Sequence, residues 1–325
     1  MAGFAYQRPQ SLAELVALVS DLPADSYRFI AGGTDLLPQI HQKTCQPETL
    51  ISLRGLNELS GISCDGNILK IGAGTTLREV QESPLVREHA FALAMAAKQV
   101  ASPQIRNMGT IGGNICLETR CLYYNQLNWP GGFGPCLKRG GSECYQARKG
   151  KRCFALCRAD TPAALMVLDA GLNLVGPGGD RTVPVGDFYT DDGYANRLLG
   201  LGEVVASITI PIRKRLCFYT RLSLRQAIDF PVIGVAAGWD EGRAEFVDLR
   251  IAATGLISQP LRLVGLEKLL ENKQASFVLG QDFEPAVAKI PVFHHVDAPA
   301  GYRKKILTGL LRTTLAMVGE ARGGL

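Results

Sequence analysis

The sequence predicts a chain of two or three domains that mixes helices with strands, and three observations carry that prediction. The chain has 325 residues, a length that suits two or three domains and a sizeable core. Strand–glycine turn–helix units stand at Tyr27–Pro38 and around Ile68–Leu77. Beyond Arg213-Lys214-Arg215 the pattern changes to strand-like runs of a separate sheet, followed by helices.

In chain order, residues 11–20 read as a helix, with Ser11 as its cap, Glu14 at the capping-box position, and Leu12, Leu15, Val16 and Val19 in one apolar stripe. Tyr27–Ile30 is a short strand that runs into Ala31-Gly32-Gly33-Thr34-Asp35-Leu36 and a helix. Residues 48–53 and 68–71 alternate as strands. The second leads through Gly72-Ala73-Gly74-Thr75-Thr76 into a helical run to about Arg87. Residues 85–99 form an alanine-rich apolar helix, which Pro103 ends. Thr161–Leu168 opens a helix with proline in its first turn, and strands are expected at 172–175 and 203–210. Past the basic triplet, 217–228, 232–239 and 245–254 read as strands and 261–270 and 301–320 as helices. Ile306, Leu310, Leu311 and Val318 share one face of the last helix, and the tail Arg322–Leu325 reads as frayed.

The chemistry concentrates between Gly109 and Cys157. Gly109-Thr110-Ile111-Gly112-Gly113-Asn114 resembles the first glycine turn in character. In both, glycines leave backbone N–H groups uncovered for an anion. Neither follows the dinucleotide fingerprint or the Walker pattern, and each alone suits a plain turn. Two in one chain suit a ligand with two phosphates. Cys116, Cys121, Cys136, Cys144, Cys153 and Cys157 follow, in a segment with little periodicity that includes Trp129–Pro135. A long irregular segment needs a reason to be ordered, and a ligated centre supplies one. The gaps match neither zinc-finger nor bacterial ferredoxin spacing. Spacing therefore leaves an iron–sulfur cluster, zinc and merely buried thiols all open.

Lys138, Arg139, Arg148, Lys149, Lys151, Arg152 and Arg158 crowd this segment against Glu143. They suit a solvated basic loop, a counter-charge to a thiolate centre, or a dock for an acidic electron carrier. Cys45, Cys64 and Cys217 read as isolated core thiols and Cys116 as buried. His41, His89, His294 and His295 show no metal or catalytic spacing, and the pair His294-His295 reads as surface.

Composition removes other classes. Hydrophobic residues make up 46%, charged residues 20%, and the formal net charge is +5. These values suit a soluble globular protein and do not argue for nucleic acid. Residues 1–9 lack a basic region followed by an apolar run, and no apolar stretch approaches the roughly eighteen residues that span a bilayer. A cytoplasmic protein with no membrane partner is expected, and its nine cysteines are expected to bind metal or do chemistry rather than form disulfides.

Phe29–Leu36 and Thr110–Asn114, followed by Asp160-x-Pro162-Ala-x-Leu165, resemble the FAD-binding subunit of molybdenum hydroxylases, the xanthine dehydrogenase and carbon monoxide dehydrogenase family. The resemblance spans essentially the whole chain. Thr119-Arg120-Cys121-x-Tyr123-Tyr124-Asn125-Gln126, Cys136-Leu137-Lys138, Cys144 and Arg152-Cys153 also resemble the insertion in β subunits of 4-hydroxybenzoyl-CoA reductases, which carries an extra [4Fe-4S] cluster.

The resemblance implies an α+β fold of the PCMH/VAO-like flavoprotein type. A two-subdomain FAD-binding domain at 1–212 (about 1–60 and 61–212, with the cysteine insertion at about 115–158) precedes a small α+β domain at 213–325. The flavin contacts implied are Phe29, Ile30, Ala31, Gly32, Gly33, Thr34, Asp35, Leu36, Val100, Thr110, Ile111, Gly112, Gly113, Asn114, Asp160 and Arg221. The two loops are expected to wrap the pyrophosphate, with Asp160 and Arg221 toward the ring. The cluster ligands implied are Cys121, Cys136, Cys144 and Cys153, which leaves Cys157 surplus.

The function implied is electron transfer. Electrons pass from a ferredoxin-like carrier through the cluster and FAD to a small [2Fe-2S] subunit and a large molybdenum-cofactor subunit, with no catalytic residue on this chain. A flavin subunit of an oxidative molybdenum hydroxylase and a flavoprotein with a structural zinc loop are the alternatives.

Overall fold

The computed structural model describes residues 3–125, 134–147, 150–242, 245–274, 280 and 282–317. Three sheets carry the chain. The first holds β1 (Ala5–Gln7), β2 (Tyr27–Ile30) and β3 (Thr49–Ser52) in the order β1-β3-β2, with both pairings parallel. Parallel neighbours need crossovers, and the helices Leu12–Ser20 and Leu36–His41 lie in the two connections. Ser11 Oγ accepts the Glu14 N–H at 3.1 Å as expected, whereas the Glu14 carboxylate takes the N–H of Gln10, one residue before the capping-box donor. Leu15 and Val19 bury against Tyr27, Ile51, Leu56 and Leu59. Strand β1 has no sequence signal of its own.

The second sheet is antiparallel, in the order β4-β5-β8-β6-β7: β4 (Ile62–Asp65), β5 (Ile68–Gly72), β6 (Gly171–Val175), β7 (Arg181–Pro184) and β8 (Val204–Pro211). The helical stretch after β5 is three helices, Leu77–Glu82, Pro84–His89 and Phe91–Gln99, rather than the two overlapping runs expected. Ser83 ends the first in an extended conformation and caps the second, because a residue before proline is driven out of the helical region. Ala92, Ala96 and Ala97 of the third are fully buried, and the Ala92 N–H meets Cys217 Sγ at 3.3 Å.

The third sheet is antiparallel, in the order β12-β11-β10-β9: β9 (Arg215–Leu222), β10 (Ile233–Asp240), β11 (Arg250–Thr254) and β12 (Leu261–Arg262). It is shorter than its sequence signal at both outer runs, since 217–228 stops at Leu222 and 245–254 starts at Arg250. The run 261–270 opens with β12 before the helix Val264–Leu270. In the last helix, Ala300–Ala316, Leu307 and Leu311 are buried, while Ile306 and Leu310 are only partly so. Arg303 of this helix is fully buried, and its guanidinium donates to the carbonyls of Ala298, Gly255 and Phe293. Val318 and Arg322–Leu325 lie outside the described residues.

The fold is α+β, as expected. Among the described residues no helix is long and apolar enough to cross a membrane.

Candidate functional site

The first glycine turn, the helix start at 110–114 and the strand β8 converge on one cavity of 1040 Å³. Its wall takes in Phe29 through Leu36, Val100, Thr110, Gly112, Gly113, Asn114 and Asp160. It therefore gathers fourteen of the sixteen expected flavin contacts. Ile111 points into the core, fully buried. Arg221 stands behind the wall, donating to the Asp160 carboxylate at 3.1 and 3.3 Å.

The two loops do different work. In the first, Gly33 has φ of +70°, a conformation glycine adopts without strain. Among the described residues, no hydrogen bond takes up the backbone N–H of Gly32, Gly33, Thr34 or Asp35, so these donors are free for an anion. The second is not a bare loop. Thr110 caps a short helix, Ile111–Ile115, and its N–H groups are committed: Ile111 to Thr75 O at 2.9 Å, Gly112 to Ala73 O at 2.8 Å, and Gly113 to Thr110 Oγ1 at 3.0 Å. Gly112 is glycine because a Cβ there would lie 2.8 Å from Ala73. Asn114 Oδ1 accepts from Thr161 Oγ1 at 2.7 Å and so fixes the start of the Thr161–Val167 helix.

Asp160 is buried beneath the cavity, where it also accepts from Tyr219 Oη at 2.8 Å. Burial pushes its carboxyl pKa up, against the pull of Arg221 and Tyr219. Arg120 pairs with Asp35 of the first turn and stacks over Phe230 at 4.6 Å. Burial brings Arg120 down to about 10. Arg158 and Arg197 line the same cavity. Arg158 is held at 2.6 Å by Asp297, whose other oxygen meets His295 Nδ1. His295 is thus 2% exposed rather than at the surface, and burial lowers its pKa. Burial pushes the Asp297 carboxyl up, but His295 and Arg158 outweigh it and hold it well below the usual range.

Cys121, Cys136, Cys144 and Cys153 line a second, small cavity with Tyr123, Tyr124, Leu137, Lys138 and Tyr145. Short bridges, Arg120↔Leu156 and Cys144↔Gly150, draw the strands of this irregular segment together. The Gln146 amide donates to Cys121 Sγ at 3.5 Å, while the Tyr124 N–H closes a turn on the Cys121 carbonyl at 3.2 Å. Burial pushes the Cys153 thiol up to about 12. Four cysteines on the wall of one cavity, with an amide donor on the first, suit thiolates in a metal centre. Among the described residues no three His, Cys, Asp or Glu converge closely enough to hold a single metal ion. The four thiols surround a space rather than a point.

Cys157 lies apart, its backbone paired with Ile257 and Gly255 and its sulfur facing Thr254. Cys217 is core, Cys64 is exposed and Cys45 is half-buried, so the core expectation fails for the last two. Cys45 and Cys116 both line the large cavity.

Tyr124 belongs to both cavity walls. Lys138 from the cysteine cavity pairs with Glu118 from the large one. The basic run is therefore not a uniformly solvated loop. Lys138 and Arg158 have buried side chains, whereas Lys151 and Arg152 are exposed. Trp129–Phe133, Gln126, Arg148 and Lys149 lie outside the described residues. Arg120 and Tyr124 sat inside a recognised motif without an assigned role. Glu118, Arg197 and Asp297 gave no sequence signal.

The family profile described as "FAD binding domain in molybdopterin dehydrogenase" matches residues 2–213. The carbon monoxide dehydrogenase medium chain of Hydrogenophaga pseudoflava is 32% identical over 271 residues, covering 83% of this chain and 80% of that one. The xanthine dehydrogenase FAD-binding subunit of Escherichia coli O157:H7 is 28% identical over 273 residues, 82% and 79% of the two chains. In three dimensions the chain superposes on one from carbon monoxide dehydrogenase of H. pseudoflava with a TM-score of 0.77 at 28% identity, covering 96% of each. A chain from reconstituted CO dehydrogenase of Oligotropha carboxidovorans gives 0.78 at 26% identity, covering 97% of each.

Proposed function

This chain belongs to the family of FAD-binding domains of molybdopterin dehydrogenases, and we propose, from its cysteine segment, that it is the FAD- and [4Fe-4S]-carrying electron-transfer subunit of a 4-hydroxybenzoyl-CoA reductase-like enzyme. Residues 1–212 form the FAD-binding domain, with subdomains at about 1–60 and 61–212, and 213–325 the C-terminal domain. The free N–H groups of Gly32–Asp35 hold the FAD pyrophosphate. The helix start at 110–114 shapes the facing wall, and Asp160, fixed by Arg221, lies toward the ring. Cys121, Cys136, Cys144 and Cys153 hold the cluster. Bound FAD supplies one- and two-electron chemistry and a cluster one-electron carriage. The protein places both, excludes water and provides the surrounding charge.

The observation that carries this reading is the adjacency of the two cavities, one rimmed by unpaired backbone donors and the other by four cysteines, with Tyr124 in both walls. The partners are a small [2Fe-2S] subunit, a large molybdenum-cofactor subunit that acts on the substrate, and a ferredoxin-like carrier. A second reading, the FAD subunit of an oxidative molybdenum hydroxylase acting on another substrate, is favoured by the names of the relatives, which are dehydrogenases.

The test is anaerobic purification with its partners, assay of FAD, iron, acid-labile sulfide and zinc, and a low-temperature EPR spectrum after reduction. About four irons and four sulfides per chain, with flavin reduced by reduced ferredoxin, is the expected result. Flavin reduced instead by the partner's substrate, with outward transfer, favours the oxidative reading. Zinc without sulfide leaves a flavoprotein with a structural metal loop and refutes the cluster.

A further inference from the structure

Between the two cavities lies a partly buried chain of charged side chains. The Lys138 ammonium donates to Glu118, to Thr119 Oγ1 and to the Gly193 carbonyl, the last at 2.7 Å. All three of its N–H groups are thereby used. Its side chain is 5% exposed, and it sits 4.7 Å over the Tyr124 ring. The Glu118 carboxylate is shared with Arg197 at 3.3 Å, and both Glu118 and Arg197 line the large cavity. The sequence + − + thus runs from the wall of the cysteine cavity to the wall of the flavin cavity.

We infer that the Lys138–Glu118 pair is the electrostatic link between the two sites: the ammonium raises the reduction potential of the centre held by the four cysteines, and the carboxylate opposes it and extends its influence to the flavin wall. The inference rests on the proposed reading that those cysteines hold an iron–sulfur cluster. An added electron makes such a centre more negative, so a fixed cation beside it favours the reduced form. Burial keeps the interaction strong and poorly screened by salt. The Lys138 side chain stands in the wall of this cavity together with all four cysteines. It cannot swing to solvent, because its three acceptors hold it in place.

The test is an EPR-monitored redox titration of the cluster in the purified holoprotein. Lys138→Met keeps the aliphatic stem and removes the charge. It is expected to shift the one-electron reduction equilibrium about tenfold toward the oxidised form, 59 mV lower. Glu118→Gln is expected to shift it in the opposite direction, and Lys138→Arg to restore the wild-type value. Raising the salt concentration leaves the shifts in place. Opposite signs separate charge from packing damage, which moves both variants the same way. Equal potentials at wild-type iron and sulfide content overturn the inference and leave the cluster reading intact, as does a shift of the same sign in both variants. Wild-type protein without iron and sulfide overturns both. If Lys138→Met does not retain iron, the Glu118→Gln and Lys138→Arg titrations decide the matter.

Discussion

Replacing Gly32 by alanine tests whether the two glycine segments form one wall. A Cβ at this position would lie 1.9 Å from the Met108 carbonyl oxygen and 2.6 Å from its carbon, where side-chain carbons do not approach closer than 3.0 Å. The first turn must therefore retreat from the Met108–Gly109 backbone by at least 3.0 − 1.9 = 1.1 Å. The obstacle is backbone and not the free end of a side chain, so the cost belongs at the upper end of overpacking, about 3 kcal/mol. The retreat widens the cavity between Gly32–Asp35 and Gly109–Gly113. If half of that cost falls on the flavin-bound state, FAD affinity drops about tenfold. Gly33→Ala is the control. Its φ of +70° costs an alanine about 1–2 kcal/mol, yet its Cβ meets only the flexible ends of Leu37 at 3.1 Å and Ile30 at 3.3 Å. Affinity is read by titrating FAD into deflavinated protein, and stability by denaturant melts of the same samples. A Gly32→Ala protein that binds FAD with wild-type affinity and melts no earlier than Gly33→Ala would refute the close approach and the shared wall.

Three further outcomes follow from the same geometry. Cys153→Ser is expected to lose iron and sulfide while Cys157→Ser keeps both, since Cys153 lines the four-cysteine cavity and Cys157 does not; metal analysis of the two purified variants decides it. Asp160→Ala leaves the 5%-exposed Arg221 side chain without its partner and is expected to cost about 3–5 kcal/mol in chemical denaturation, with Asp160→Asn milder because it retains an acceptor. For pH, the folded-state pKa of His295 lies below its ordinary 6.5, so the unfolded chain takes up a proton that the folded chain refuses. Stability is then expected to fall as pH drops from about 6.5, and His295→Gln to flatten that part of the profile in urea melts and to shrink, without abolishing, the lower loss that Asp297 causes as it protonates, since Arg158 still holds that carboxylate.

What the sequence disclosed, and what it did not, divides along a physical line. The strand–turn–helix at Tyr27–His41 was legible because a positive φ at Gly33 can be met cheaply by one residue type only. The same logic misreads Gly112. There glycine is required by Ala73, about forty positions earlier in the chain, and the N–H groups that composition suggests are bare are already bonded. The break at Ser83-Pro84 carries a local cause. The break at Ala90, fully buried at φ −146°, does not. Buried charge is the least legible of all. Arg303 and Lys138 look like surface residues in any window of sequence, and they are buried because the Gly255 carbonyl and the Glu118 carboxylate, far off in the chain, satisfy them; His295 is met by Asp297 only two positions on, yet it is the packing of other segments that buries it.

The cysteine segment shows why spacing alone could not name its centre. Regular spacing reflects ligands mounted on a turn or helix of fixed geometry. Here the four thiols ride on loops whose order comes largely from contacts far off in the chain. Arg120 is anchored to Asp35 in the first glycine turn, Lys138 to Glu118 and the Gly193 carbonyl, and Arg152 to Asp191 at 2.9 Å. Two of those four anchors, Asp35 and Glu118, belong to the flavin cavity. The loops can therefore take any spacing that lets their anchors reach, and the same contacts that shape the cysteine cavity also brace the flavin wall. The two sites share a set of ion pairs, Arg120–Asp35 and Lys138–Glu118, instead of a sequence repeat.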